Sequence, residues 1–139
     1  MRGYGKRMST ESENTEISIR PDLSDKNSVK QNHARRAMQY IEEHYREKFF
    51  LDAVANALYL DKIYLSKCFK ESTGTTMLKY HNMVRCKEAA RLLTGTDLNI
   101  EVIGSMVGYT TPSHFTRIFK KVYSCIPSDY RKRYYESPE

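Results

Sequence analysis

The sequence predicts an all-α fold, with two helix-turn-helix lobes joined by a long linker helix and about seven helices in all. Three observations carry that expectation. The stretch from Asp61 to Lys70, DKIYLSKCFK, returns fifty residues later as Thr111 to Lys120, TPSHFTRIFK: Leu65 matches Phe115, Ser66 matches Thr116, Lys67 matches Arg117, and Phe69-Lys70 matches Phe119-Lys120. Each of those phenylalanines is followed eleven residues on by a tyrosine, Tyr80 or Tyr130, so the likeness runs past the helix into what it packs on. From Asn32 onward the apolar residues recur at i, i+3, i+4 and i+7, the spacing of one helix face, while caps and breakers punctuate the chain. Two copies make a duplicated domain half, not a solenoid.

Taken in order, residues 1 to 31 read as a disordered tail or interdomain linker, rich in Ser, Glu, Asn, Gly and Arg with few large apolar residues. The alternative is an arm that folds on binding, with Arg2, Lys6 and Arg7 touching phosphate. A first helix is expected from about Asn32, where Ala34, Met38, Ile41 and Tyr45 share a face. A second covers Leu51 to Leu58, burying Leu51, Val54, Ala55 and Leu58, with Asp52 in its first turn, where the helix dipole favours an anion. Tyr59 and Leu60 turn the chain, Asp61 caps the next helix, and Gly74 offers it a left-handed stop. Lobe one therefore spans about 32–75. Thr75 or Thr76 opens a linker helix, about 76–94, that Thr94-Gly95 closes. Its stretch from Leu78 to Thr94 is about 25 Å long at roughly 1.5 Å per residue, a strut between the lobes.

Lobe two, about 95–133, repeats the plan. Asn99 caps a helix with Ile100, Ile103, Gly104 and Val107 inward, and Gly108 ends it. Thr111 followed by Pro112 marks the next start: a hydroxyl cap, then proline where its missing N–H has no helical partner to lose. Pro127 begins a short final helix carrying Tyr130, Arg131, Lys132 and Arg133, and 134–139 form a tail.

The two repeated helices divide into matched faces. Leu65 with Phe69, and Phe115 with Ile118, Phe119 and Val122, should face a core. Opposite them lie Ile63, Ser66, Lys67 and Lys70 in the first copy and Ser113, Thr116, Arg117 and Lys120 in the second, with His114 beside the second stripe. Small or hydrogen-bonding side chains near the start and cations throughout suit a helix that enters the major groove of duplex DNA. A basic solvated face accounts for one such helix; the match in a second copy argues against it. The net charge of +6 and pI of about 9.2 favour a polyanion. Residues 1 to 30 carry six Lys/Arg and five Asp/Glu, so the excess belongs to the folded part.

Other classes find less support. Cys68, Cys86 and Cys125 have neither a disulfide framework nor a zinc spacing and read as small core residues. His33, His44, His81 and His114 are scattered, so no metal, cofactor or enzymatic site is expected. No run of eighteen apolar residues and no signal peptide occur, which makes cytoplasm the expected location and a membrane an unexpected partner. A basic helical protein-interaction module or an RNA binder is the alternative reading.

With these residues in place, the chain resembles the DNA-binding domain of the AraC/XylS family of bacterial transcription regulators over roughly Asn32 to Arg133. LYLDKIYLSKCFKESTG and VGYTTPSHFTRIFKKVYSCIPSDYRKR carry the resemblance, through Gly108-Tyr109, Phe115, Thr116-Arg117, Phe119-Lys120 and Pro127 to Arg131. It implies seven helices, base-facing residues Ile63, Ser66 and Lys67 in lobe one and Ser113, His114, Thr116 and Arg117 in lobe two, and activation with RNA polymerase as a partner. It also implies a sensing or dimerising domain elsewhere in a longer protein, unless the chain is a small activator that binds as a monomer. Three positions depart from the family: Gly104 for alanine, Ser124 for glycine and Ile126 for serine. Gly104 is expected to weaken its helix by up to about 1 kcal/mol, and Ser124 to alter the turn after the second repeated helix.

Overall fold

The computed structural model describes residues 25–136, and within them the chain forms seven helices. They are α1 (Asp25–Glu43), α2 (Leu51–Leu58), α3 (Lys62–Thr73), α4 (Met77–Gly95), α5 (Ile100–Met106), α6 (Pro112–Tyr123) and α7 (Pro127–Glu136). The proposed arm of Arg2, Lys6 and Arg7, and most of the tail assigned to residues 1 to 31, lie outside the described residues.

Two apolar clusters organise the helices. Ile41 from α1, Val54 and Leu58 from α2, Leu65 and Phe69 from α3, and Met77 and Tyr80 from α4 make the first. The second gathers Cys86, Ala89, Leu92 and Leu93 from α4, Ile103 from α5, Val107 and Tyr109 from the turn, and Phe115 and Phe119 from α6. The start of α4 thus serves one cluster and its later turns the other. Leu65, Phe69, Phe115 and Phe119 are buried as their spacing predicts, whereas Ile118 and Val122 are only partly covered. All three cysteines are buried and free, and burial pushes the Cys86 thiol up to about 12.

Local chemistry sets most boundaries. Asp61 accepts a hydrogen bond from the Tyr64 N–H at 2.9 Å, Thr76 from Lys79 at 3.1 Å and Thr111 from His114 at 3.2 Å, each satisfying a donor at the start of a helix. Gly74 ends α3 in the left-handed region, its N–H bonded to the Lys70 carbonyl at 2.9 Å. Fifty residues on, Ser124 ends α6 with φ 67 and the same bond to the Lys120 carbonyl at 2.8 Å. The turn expected to change is therefore kept, with a serine accepting the strain of a positive φ.

Two helix ends need correction. Helix α1 begins at Asp25, seven residues before the anticipated Asn32, and its second turn meets α3, where Lys30 Nζ sits 2.7 Å from Glu71 Oε1. Apolar spacing could not reveal that contact. Helix α4 closes at Gly95, as Thr94-Gly95 led one to expect, and the chain leaves through Thr96, which is extended. Helix α7 continues past Arg133 to Glu136. It is fastened to the end of α4 by Arg131, which donates to the Leu93 and Thr96 carbonyls at 2.9 and 3.1 Å, and by the Tyr135 hydroxyl on Thr94 O at 3.3 Å. Those carbonyls lack helical partners, so their capping also fixes α7.

Gly104 has a packing reason. A Cβ there would meet Phe115 Cδ2 at 2.7 Å and Cγ at 2.9 Å. The helix propensity that glycine gives up is exchanged for close approach of a full phenyl ring. In lobe one the corresponding pair is Ala55 and Leu65, a larger backbone residue against a smaller side chain.

Candidate nucleic-acid interface

Helices α3 and α6 each turn one face to the core and leave the other uncovered. On α3, Ile63 is 74% exposed, with Lys67 and Lys70 exposed and Ser66 half-buried on the same side. On α6, Ser113, Arg117 and Lys120 are exposed and Thr116 is half-buried. Among the described residues, Lys67, Lys70, Arg117 and Lys120 make no ion pair. Their charge is therefore available to an anion. Lys62 differs, since its ammonium lies 3.1 Å from Asp52 Oδ1 in the first turn of α2.

His114 is half-buried, as Ser66 and Thr116 are. Its ring stands edge-on to Tyr109 with centroids 5.2 Å apart, and its own N–H bonds the Thr111 cap. It helps set the α5–α6 turn as well as standing beside the exposed stripe.

A buried polar group at the junction of the two clusters went unread in the sequence. Arg85 on α4 is 7% exposed. Its Nε donates to Tyr45 O at 2.6 Å and its Nη2 to Glu47 O at 2.8 Å, both in the segment between α1 and α2. Its guanidinium carbon lies 4.8 Å from the centre of the Tyr109 ring, close enough for attraction to the ring face. Tyr109 in turn donates its hydroxyl proton to Asn82 Oδ1 at 2.7 Å. One helical turn before Arg85, the His81 ring bonds Glu47 O at 3.0 Å. Burial, and then the charge of Arg85, lowers the His81 pKa to about 4, so the ring is neutral near pH 7. The signal was present: positions 81, 85, 89 and 93 repeat every four residues, which puts Arg85 on a face whose later members are Ala89 and Leu93.

Among the described residues no cluster of three or more His, Cys, Asp or Glu could hold a metal ion, and no helix is long and apolar enough to cross a membrane.

Two tandem helix-turn-helix units, each with an exposed polar and cationic stripe on its second helix, define a DNA-binding domain of the bihelical class. The helix-turn-helix domain family matches residues 54–133. The chain belongs to the AraC family of transcription regulators. It is 37% identical over 105 residues to the uncharacterized HTH-type transcriptional regulator YisR of Bacillus subtilis (strain 168), covering 76% of this chain and 37% of that protein. The C-terminal domain of AraT, a response regulator from Geobacillus stearothermophilus, superposes with a TM-score of 0.69 and 34% identity, covering 81% of this chain and 88% of that one. The xylose-binding transcription activator xylR superposes with a TM-score of 0.63 and 32% identity, over 81% of this chain and 28% of that one. The chain spans about a third of the length of the curated relatives it matches.

Proposed function

We propose that the chain is the DNA-reading part of a cytoplasmic transcription activator, and that both α3 and α6 enter the major groove of one duplex. The observation that carries this reading is the matched pair of exposed stripes on helices whose opposite faces anchor two separate cores. Ile63, Ser66 and Lys67 read bases in the first half-site, with Lys70 on phosphate. Ser113, His114, Thr116 and Arg117 read the second, with Lys120 on phosphate. Residues 32–75 act as one reading lobe, 95–133 as the other, and α4 as the strut. The domain binds as a monomer. RNA polymerase is the partner that activation requires, and a sensing or dimerising domain belongs to the longer protein. The description of xylR as a transcription activator supports the sign of regulation.

Two lobes on one DNA face need half-sites about 10 base pairs apart. Inserting about five base pairs between them carries one half-site to the far side of the duplex. Affinity measured by fluorescence anisotropy should then fall to that of a single half-site. Equal affinity before and after the insertion refutes simultaneous reading by both lobes.

A further inference from the structure

We propose that Arg85 is a positioning residue, a latch across the lobe junction that sets the orientation of α6 relative to α3 and so fixes the half-site spacing the chain accepts. The inference rests on the two-lobe reading and deepens it.

The contacts form a continuous path. On the lobe-one side are the Tyr45 and Glu47 carbonyls, at 2.6 and 2.8 Å from the guanidinium. On the lobe-two side is the face of Tyr109, whose ring also lies 5.7 Å from Phe115 and 5.2 Å from His114 in the first turn of α6. The packing closes tightly around this path. A Cβ on Gly108 would fall 2.7 Å from Arg46 O and 2.8 Å from the guanidinium carbon, so lobe two's turn rests directly on lobe one's connecting segment. The side chain of Tyr45, which follows α1, packs against the second cluster.

A buried cation is a poor choice if the junction needed only adhesion, since apolar side chains of similar volume do that with no desolvation cost. What a guanidinium adds is direction. Among the described residues Arg85 has no carboxylate partner; its Nε and Nη2 donate to backbone carbonyls of one lobe and its guanidinium lies over an aromatic ring of the other. Any rotation of lobe two away from lobe one strands a buried donor or uncovers the charge. The arrangement is therefore favourable in one relative orientation. When two binding modules are linked, the second event is intramolecular, and its effective concentration is high only where the link holds the module over its site. A rigid junction confines that advantage to one spacing, whereas a loose one spreads it over several.

The test uses duplexes selected from a random pool by the parent chain, remade with the half-site spacing lengthened or shortened by one base pair, and with either half-site scrambled. Two variants are compared with the parent: Arg85→Lys, which keeps the charge but loses the fork that meets two carbonyls, and Asn82→Ala, which removes the amide that accepts from the Tyr109 hydroxyl. Circular dichroism melts identify which variants fold. The parent should lose about tenfold in affinity for a one-base-pair change in spacing, while the variants discriminate by less than about threefold. Each variant should bind the single half-sites within about twofold of the parent and lose about tenfold on the full site. A folded variant that keeps the parent's spacing profile overturns the latch, even where its affinity falls uniformly. Should Arg85→Lys fail to fold, the profile of Asn82→Ala decides alone. A parent indifferent to spacing overturns the two-lobe reading and the latch with it; a parent that discriminates beside variants that discriminate equally overturns the latch only.

Discussion

Among the described glycines, Gly108→Ala is expected to be the most damaging methyl addition. Gly108 has φ +110, where a side chain costs roughly 1–3 kcal/mol of backbone strain. The added Cβ would also lie 2.7 Å from the Arg46 carbonyl oxygen and 2.8 Å from both the carbon and Nη2 of the Arg85 guanidinium. Neither can retreat: the carbonyl is backbone, and the guanidinium is held by Tyr45 O and Glu47 O. Forcing a methyl into a filled site costs about 1–3 kcal/mol, so strain and overpacking together predict a loss of about 2–6 kcal/mol. That is a large part of the roughly 5–15 kcal/mol available to a domain of this size. The assay is urea unfolding followed by circular dichroism at 25 °C, with Gly95→Ala as control. Gly95 is exposed in the last turn of α4, has nothing within 4 Å of its would-be Cβ and no positive φ, so alanine there should stabilise by up to about 1 kcal/mol. A loss under about 1 kcal/mol for Gly108→Ala would refute the claim that the junction is closely packed around Arg85.

Acidification should destabilise the fold through His81. Its folded-state pKa of about 4 lies below the ordinary 6.5, so the unfolded chain binds the extra proton between those values and stability is lost as pH falls through that window. Between pH 7 and pH 5 the contribution is about 2 kcal/mol, and it should be missing from the pH dependence of His81→Gln in urea titrations; an unchanged slope counts against a buried neutral ring. On the α6 stripe, Arg117→Ala should flatten preference at one base position, worth roughly 1–3 kcal/mol of discrimination, because the planar fork of arginine can bond guanine O6 and N7 together. Lys120→Ala should weaken all sequences alike and reduce the salt slope by about one unit. Selections on a randomised site distinguish the two, and uniform weakening by Arg117→Ala would make α6 a phosphate clamp.

Local signals located the helices. Asp61, Thr76, Asn99 and Thr111 cap where a short polar side chain can reach an unpaired N–H two or three residues on, and Pro112 and Gly74 mark a start and a stop by their own backbone limits. The faces of α3 and α6 were legible because a helix repeats every 3.6 residues, and the fifty-residue repeat showed that the pattern was built twice. Where a helix end is held from elsewhere in the fold, the same signals failed. Lys30 meets Glu71 in the unanticipated part of α1, and Tyr135 meets Thr94 O in that of α7, each by a contact between residues 41 positions apart.

What the sequence determined by itself was therefore periodic and local: seven helices, two repeats, and the exposed stripe each repeat presents. The tertiary structure decided how the lobes meet. Spacing puts Arg85 on the face of Ala89 and Leu93, but only the carbonyls of residues 45 and 47 closing on it show what it holds, and Gly104 looks like a weak point in a helix until Phe115 fills the space above it. In both cases the deciding interaction joins segments remote along the chain, where the side chain's own propensity carries no information about what it will touch.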